Sequence, residues 1–240
     1  MNRNDISFGN ESRCYREQGF AIVPMIDERG TEDLQRFAEM WVYGLLEVNA
    51  TEITHYPIGL YHLWHQKAPV LHNTAFRAAN RHVCPNASIR QILVNARLDT
   101  FLKELGVRKF RIWDEGYGWL GFRIIRPGFG DGYPLSRKEW GPAKNVISIW
   151  VPIIGYNANE TLRLIPGSHL KEYEKYLPEN QKFCMNEYRL APPVRESELY
   201  SPDLRRGEVV VYHPKTLHTE NIRNGVITRL SLEFRIEPVA

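Results

Sequence analysis

Apolar residues recur at helical spacing in the first half of the chain and at strand spacing in the second half. One helix is predicted to begin near Thr31, a residue type that caps helix N-termini. A second helix is predicted from about Asn86 to Leu105, with Gly106 as its terminator. The apolar face of the first helix consists of Leu34, Phe37, Trp41, Leu45 and Val48.

The N-terminal residues are polar, and we expect residues 1–13 to be frayed. The next stretch, from Tyr15 to Pro24, predicts a short turn of helix, a break at Gly19 and a short strand that the proline ends.

The second half of the chain alternates apolar and polar residues in short runs separated by turn signals. Residues 170–206 interrupt this pattern with a polar segment, which we interpret as a loop or lid. Helices followed by short strands predict an α+β, mainly β fold, in which an antiparallel sandwich or barrel has helices packed on one face. The predicted strands are 109–113, 119–126, 145–154, 161–165 and three more within 207–237.

The length and composition fit one domain over residues 1–240. Of the 240 residues, 43% are hydrophobic, and no Gly/Ser/Pro-rich linker divides them, so one sizeable core is expected. Residues 1–106 are expected to form a mostly helical support, and 107–240 a β core that includes the 170–206 lid.

Charge and cysteine usage limit the partners and the compartment. The net charge is +3 and the basic residues are scattered, which argues against nucleic acid as a partner. No stretch approaches the roughly 20 apolar residues of a membrane helix, so a small molecule is the expected partner. Cys14, Cys84 and Cys184 lie far apart and favour a reduced, cytoplasmic protein.

Histidines are concentrated in residues 51–84. His62 and His65 would share one face of a helix, but a zinc site would also need cysteine or carboxylate partners at close spacing, which the segment lacks. We therefore interpret these histidines as stacking or surface residues, with pocket lining by segment 55–72 as the alternative. The full set is His55, His62, His65, His72 and His82.

The terminal strands carry the clearest candidate site. His218 lies between the first two of these strands, and Arg229 follows eleven residues later. An imidazole and a guanidinium on neighbouring strands are suited to half of a metal-and-carboxylate site inside a small β-barrel. Ser231 lies two residues beyond Arg229 and is predicted to share its face of the strand.

The order of several motifs resembles the phytanoyl-CoA dioxygenase (PhyH)-like group of Fe(II)/2-oxoglutarate oxygenases. The resemblance is clearest from about 119 to 237. It implies a cupin-like double-stranded β-helix, or jelly roll, and Fe(II) and 2-oxoglutarate as cofactors. The motifs are Trp150-x-Pro152, Leu164–His169, Gly207–Val211, Leu217-His218, Asn221 and Arg229-x-Ser231, with Gly19–Pro24 as the opening strand.

The family holds iron with a His-x-Asp/Glu pair and a distal histidine, and it binds the far carboxylate of 2-oxoglutarate with an arginine. The resemblance carries the distal ligand onto His218, the carboxylate-binding arginine onto Arg229 and its assisting hydroxyl onto Ser231. Two imidazoles and one carboxylate leave three coordination positions for a keto acid and O₂.

The His-x-Asp half of this pattern is missing, because no histidine occurs between His82 and His169. In one register the family's histidine falls on Ser136 and its acid on Lys138, so that both ligands are lost and these two residues become the candidates for any catalytic role. In the other register they fall on Arg137 and Glu139, which leaves Glu139 as a second metal ligand beside His218. The nearby Asp131 is a further carboxylate, although an acid in a Gly-rich loop is typical of a turn.

Two functional hypotheses follow. The first is a 2-oxoglutarate-dependent oxygenase with a weakened iron site, which hydroxylates a small polar metabolite or a sugar-containing intermediate. The second is a pseudo-oxygenase or metal-independent protein, which keeps a jelly-roll pocket for 2-oxoglutarate or another anion without oxidation. In the second, Arg229 and the basic pair Arg137 and Lys138 would favour an anionic ligand.

Overall fold

The computed structural model describes residues 8–49, 56–63, 83, 85–114, 118–128, 135, 137, 145–157, 160–173, 194–220 and 225–239. No helix in this part of the chain is long and apolar enough to cross a membrane. The named helices of this part lie before the sheets in the chain. They are α1 (Gly9–Gln18), α2 (Glu28–Asn49), α3 (Ala87–Leu93) and α4 (Ala96–Glu104).

The N-terminal stretch is more ordered than its polarity predicted. Helix α1 begins at Gly9, and Phe8 before it is 1% exposed, with its ring packed edge-on against Phe101 at 6.0 Å between centroids. The expectation of fraying over residues 1–13 is therefore wrong from Phe8 onward, because this aromatic side chain anchors the start of α1 to α4.

Two predicted helix boundaries are wrong, because the polar side chains of Asp27 and Asn95 cap helices at other positions. Helix α2 begins before Thr31, because the Asp27 carboxylate accepts a hydrogen bond from the Gly30 amide at 2.8 Å. The predicted helix 86–105 is two helices, since Asn95 interrupts it and its side-chain oxygen accepts from the amides of Arg97 and Leu98.

The predicted strands are all present, and every pairing between them is antiparallel. In the larger sheet the order is β1-β6-β4-β8, and the other edge of β8 pairs with β3 and with β2. A second sheet consists of β5 and β7. The strands are β1 (Phe20–Pro24), β2 (Phe110–Ile112), β3 (Leu120–Ile125), β4 (Ile147–Ile154), β5 (Leu162–Leu164), β6 (Glu208–Tyr212), β7 (His218–Glu220) and β8 (Arg229–Pro238).

The two faces of the larger sheet have different chemistry. One face is apolar and joins the helices in a single core, to which β8 contributes Leu230, Leu232, Phe234 and Ile236. The opposite face carries Trp150 and Tyr212, which pack against Leu162 and Leu164 of the smaller sheet. Helices thus cover one side of the larger sheet, and the two-stranded sheet of β5 and β7 covers the other side. This confirms the mainly β architecture with helices on one face.

Gly155 makes the tight turn that follows β4, and we predict that Gly155→Ala destabilises the fold by about 3 kcal/mol. Its φ is +78°, and an added Cβ would lie 2.7 Å from the Thr228 carbonyl oxygen. Gly106→Ala is the matched control, because φ is +89° there but an added Cβ meets no atom within 4 Å. Urea unfolding should show a distinctly smaller loss for the control, and equal losses would contradict the predicted clash.

Candidate functional site

Polar side chains converge in the space between the two sheets. In β7, His218 and Glu220 are 7% and 5% exposed and alternate with the less buried Thr219. They pair with Leu164 and Leu162, whose side chains pack against the larger sheet, so His218 and Glu220 point the same way. The larger sheet contributes Arg123, Ser148, Arg229, Ser231 and Glu233, on the face opposite the helices.

The tautomer of His218 follows from its surroundings. Its Nδ1 lies 2.9 Å from the Thr216 carbonyl oxygen, which only accepts, so Nδ1 carries the hydrogen. In the neutral ring the lone pair is then on Nε2, the nitrogen that could bind a metal or accept a proton. The ring is also packed against Tyr212, with 4.6 Å between centroids.

The Pro166-Gly167-Ser168-His169 turn holds the start of β7 in place. The Ser168 hydroxyl accepts from the Leu217 amide at 2.9 Å, directly before His218. The Gly167 amide donates to the Gln18 carbonyl, and His169 Nε2 lies 2.9 Å from the Arg16 carbonyl oxygen. This motif therefore connects the residue before His218 to the end of α1.

Arg229 is buried at the start of β8. It is 4% exposed and, together with the 6% exposed Arg126, lines a cavity of about 10 Å³, which has room for about one water molecule. Ile125, which directly precedes Arg126, pairs with Arg229, so the two arginines lie close together on neighbouring strands. The other residues that line this cavity are Ile125, Pro127, Gly128, Gly225 and Ile227.

His62 supports the residue that precedes Arg229. Its backbone amide and its Nδ1 lie 3.1 Å and 2.9 Å from the Thr228 hydroxyl, and the Thr228 amide donates to Gly59 at 2.7 Å. Burial lowers the pKa of His62, which favours the neutral ring. His62 thus fixes the start of β8, and the other four histidines of residues 51–84 lie outside the described residues.

A carboxylate network lies beside His218. Glu233, 7% exposed, accepts from the Tyr212 hydroxyl at 3.2 Å and from Arg123 at 3.1 Å, and Arg235 Nε is 3.5 Å from the same carboxylate. Burial, and then the charge of Glu233, raise the pKa of Tyr212 well above its ordinary value, so the phenol stays neutral and donates. Two guanidiniums therefore share the Glu233 carboxylate.

Tyr156 adds a second polar group near Arg229. The turn at Gly155 brings its ring edge-on against Trp150, with 4.7 Å between centroids. Burial raises the pKa of Tyr156 and the Glu220 carboxylate raises it further, whereas a hydrogen bond with the Ser231 hydroxyl and the charges of Arg229 and Arg123 lower it. The phenol oxygen is therefore neutral, and it lies among these groups.

The structure brings together three of the predicted site residues. His218, Arg229 and Ser231 all lie on the strand faces that border the space between the sheets. Ser136, Lys138, Glu139 and the loop residue Asp131 lie outside the described residues. Among the residues that the structure describes, no group of three or more His, Cys, Asp or Glu side chains could hold a metal ion.

Arg137 has a structural position away from this space. It donates to the carbonyl oxygens of Ser168 and Lys171, both at 2.6 Å, and its guanidinium lies over the Tyr173 ring. Tyr173 belongs to the small apolar cluster around Leu217. Leu217 and His218 are consecutive residues of an extended chain, so their side chains point to opposite sides. Arg137 therefore lies on the side of Leu217 and not on the side of His218.

Four further polar residues of the site were not predicted from the sequence. Arg123, Tyr156, Glu220 and Glu233 are charged or aromatic residues on short strands or a turn, where a solvent-facing position is the ordinary expectation. The available signal was the alternation Arg229-x-Ser231-x-Glu233-x-Arg235, which puts four polar side chains on one face of β8.

The model of the phytanoyl-CoA dioxygenase (PhyH) family matches residues 127–221. The matched stretch includes Ser136 to Glu139 and His218, and it ends before Arg229. The chain therefore resembles this family, as the order of its motifs indicated. The comparison with curated proteins found no match.

Solved structures of non-heme oxygenases share the fold. The non-heme monooxygenase ThoJ is 13% identical, with a TM-score of 0.62 over 95% of this chain and 76% of that chain. The alpha ketoglutarate dependent carbocyclase SnoK from nogalamycin biosynthesis is 15% identical, with a TM-score of 0.58 over 97% and 84%. EctD from S. alaskensis, solved with 2-oxoglutarate and 5-hydroxyectoine, is 15% identical, with a TM-score of 0.57 over 100% and 78%. These likenesses are consistent with the predicted double-stranded β-helix.

Proposed function

We propose that this protein binds 2-oxoglutarate, or a closely related keto dicarboxylate, in the space between its two sheets. The observation that carries the proposal is the buried Arg229, which lies with Ser231 on the face of β8 that is opposite the helices. The planar guanidinium fork matches the two oxygens of a carboxylate, and Ser231 offers a further donor. His218 lies on the facing sheet, and we assign it to the other end of the ligand.

The charges around Arg229 support an anionic ligand. Arg123, Arg126 and Arg229 lie near one another, and the carboxylates of Glu220 and Glu233 lie beside them, with Glu233 paired to Arg123. A dicarboxylate that binds beside Arg229 in this buried region would be stabilised by a charge-assisted hydrogen bond, and this requires no metal.

The iron that the family uses fits the described residues poorly. His218 matches one of the family's three iron ligands. Arg137 lies on the side of Leu217, which favours the alignment in which Ser136 and Lys138 replace the family's second histidine and its acid. A hydroxyl and an ammonium are not ligands that retain Fe(II). This supports binding without oxidation as the primary function, with Ser136 and Lys138 adding a donor and a positive charge.

A second candidate function is an oxygenase with an altered iron site, which hydroxylates a small polar metabolite or a sugar-containing intermediate. The observation that favours it is the shared face of His218 and Glu220 in β7, which supplies an imidazole and a carboxylate two residues apart. If the family's His-x-Asp pair aligns with Arg137 and Glu139, Glu139 would be a further carboxylate for this site. Iron bound with 2-oxoglutarate would supply the oxidising chemistry.

One anaerobic titration tests both candidates. We expect 2-oxoglutarate to bind with micromolar to millimolar affinity by calorimetry, with or without Mn(II), and to raise the thermal midpoint. Added Fe(II) should give no visible charge-transfer band. The absence of 2-oxoglutarate binding under all conditions would contradict the primary proposal. A band that His218→Ala removes would instead favour the oxygenase.

A further inference from the structure

Two histidines that the proposed function does not use lie ring to ring beside the end of α1. The His169 and His213 rings are 5.4 Å apart between centroids, and both side chains are half-buried. The His213 ring also lies 6.0 Å from the Tyr15 ring of α1, and burial raises the pKa of that phenol, which therefore stays neutral. The pair joins α1 to the turn 166–169 and to the turn 213–216, which leads into β7.

The hydrogen bond of His213 suits a neutral ring. Its Nδ1 accepts from the Lys215 amide at 3.1 Å, so this nitrogen carries no hydrogen. Asparagine side chains make the same kind of bond in tight turns, to the amide two residues further along the chain. A proton on Nδ1 of His213 would set two donors against each other and break the bond.

The surroundings of His169 fix which of its nitrogens is unprotonated. Its Nε2 lies 2.9 Å from the Arg16 carbonyl oxygen, which only accepts, so Nε2 carries the hydrogen. The Arg16 guanidinium donates to the Glu104 carbonyl oxygen. His169 Nδ1 is buried and has no hydrogen-bond partner among the described residues, and a Cβ added to Gly19 would lie 2.5 Å from it. A proton on this nitrogen would be a buried donor that lacks an acceptor.

The charges around His213 oppose a proton on its ring. Burial lowers the pKa of His213 from the ordinary 6.5 to about 4, and so do the positive charges of three neighbours, His169, Lys215 and Arg137. Glu172 lies 3.6 Å from Lys215, but its side chain is 87% exposed, so solvent screens this carboxylate. His213 therefore stays neutral under conditions that protonate an exposed histidine.

The turn that contains His213 also holds His218 in place. The His213 amide and the Thr216 hydroxyl both donate to the Gly19 carbonyl oxygen, at 2.8 Å and 2.7 Å. The Thr216 carbonyl oxygen accepts from Nδ1 of His218 at 2.9 Å. If this turn separates from the end of α1, the acceptor that orients the His218 ring is displaced with it.

We propose that the His169–His213 pair is an acid-sensitive junction, which fixes the turn before β7 only while both rings are neutral. Protonation of the pair separates residues 213–217 from the end of α1, and His218 loses its fixed orientation. Between about pH 4 and 6.5 the closed junction leaves His213 unprotonated, whereas an opened form whose ring reaches water takes up a proton. The contribution of the junction is therefore complete above about pH 6.5, and it is lost as the pH falls from there towards 4.

Hydrogen exchange of the full, ligand-free chain tests this junction, with mass spectrometry of peptides that cover residues 213–218. Exchange rates at about pH 7 and about pH 5 are first corrected for the intrinsic effect of pH. We expect the protection factor of the wild type to fall by about tenfold, because the opened form gains a proton that the closed form lacks. His213→Asn should show a fall of less than about twofold, because its side-chain oxygen can accept from the Lys215 amide but takes up no proton.

Two further variants complete the comparison. His169→Gln keeps an N–H for the Arg16 carbonyl oxygen but removes the charge that faces His213, so its loss of protection should be smaller than that of the wild type. His62→Gln is the matched control, since it removes another histidine whose pKa is lowered by burial but which contacts Thr228 outside the junction. Its loss of protection in residues 213–218 should equal that of the wild type.

Each alternative outcome contradicts the proposal. A wild-type protection factor that does not change with pH would overturn it, and so would an equal fall in His213→Asn. A fall of the same size in peptides throughout the chain would mean that acid unfolds the whole protein and does not act at this junction. An undiminished fall in His169→Gln would overturn the assignment of the pair, and this comparison does not require the His213→Asn protein to fold.

Discussion

Arg229→Gln is expected to lower the affinity for 2-oxoglutarate by about two to three orders of magnitude. Removing one partner of a buried charge pair costs about 2–5 kcal/mol, and 1.4 kcal/mol corresponds to tenfold in Kd. Glutamine fills much of the same volume, but it has neither the charge nor the two-pronged donor geometry of the guanidinium. The measurement is the Kd by calorimetry at low and moderate ionic strength.

Two further variants define what Arg229 contributes. Arg229→Lys keeps the positive charge but loses the fork, so its Kd should fall between those of the wild type and the glutamine variant. Arg111→Gln is the control for a general loss of positive charge, because Arg111 pairs with Glu237 on the exposed end of the larger sheet. An Arg229→Gln protein that is folded and binds 2-oxoglutarate as tightly as the wild type would refute the role of Arg229.

Glu233→Gln is expected to lower the free energy of unfolding by about 3–5 kcal/mol, because it leaves two guanidiniums without their shared carboxylate. Glu233 is 7% exposed, and the side chains of Arg123 and Arg235 are 16% and 20% exposed, so water screens this network only weakly. The Tyr212 hydroxyl would also lose a charged acceptor. Urea unfolding at neutral pH gives the change directly.

An exposed ion pair provides the comparison for Glu233. Asp99 and Lys103 lie 2.6 Å apart on one face of α4, with side chains 44% and 61% exposed. Asp99→Asn removes a carboxylate by the same chemical change, and it should cost under about 1 kcal/mol because solvent already screens the pair. Similar losses for the two variants would mean that burial of Glu233 does not determine its contribution.

The strands could be predicted because the alternation of apolar and polar residues is visible within each short segment of the sequence. In β8, apolar residues at alternate positions indicate a half-buried strand whatever surrounds it, and the structure has this strand from Arg229 to Pro238. The break between α3 and α4 was missed because the apolar spacing continues across it. The side chain of Asn95 ends one helix and caps the next, and a polar residue within a helical pattern does not reveal this.

Some residues of the candidate site could be predicted from the sequence and others could not, for a physical reason. His218, Arg229 and Ser231 have recognisable spacing within one chain segment. The contributions of Tyr156 and Glu233 depend on partners far away in the sequence. Arg123 reaches Glu233 across 110 residues, and only the pairing of β3 with β8 brings the two together. Polar residues at alternate strand positions are typical of a solvent face, so the sequence alone does not indicate that a second sheet covers them.

The two faces of β8 lie in different environments, and this limits which insertions and deletions the strand can accept. Its even-numbered side chains fill the helix-packed core, and its odd-numbered ones line the opposite space. An insertion or deletion of one residue within β8 would exchange the two sets, which places charged groups among the core leucines and leucines in the candidate site. We therefore expect the proposed ligand preference to change through replacement of odd-numbered residues of β8, and not through changes in the length of this strand.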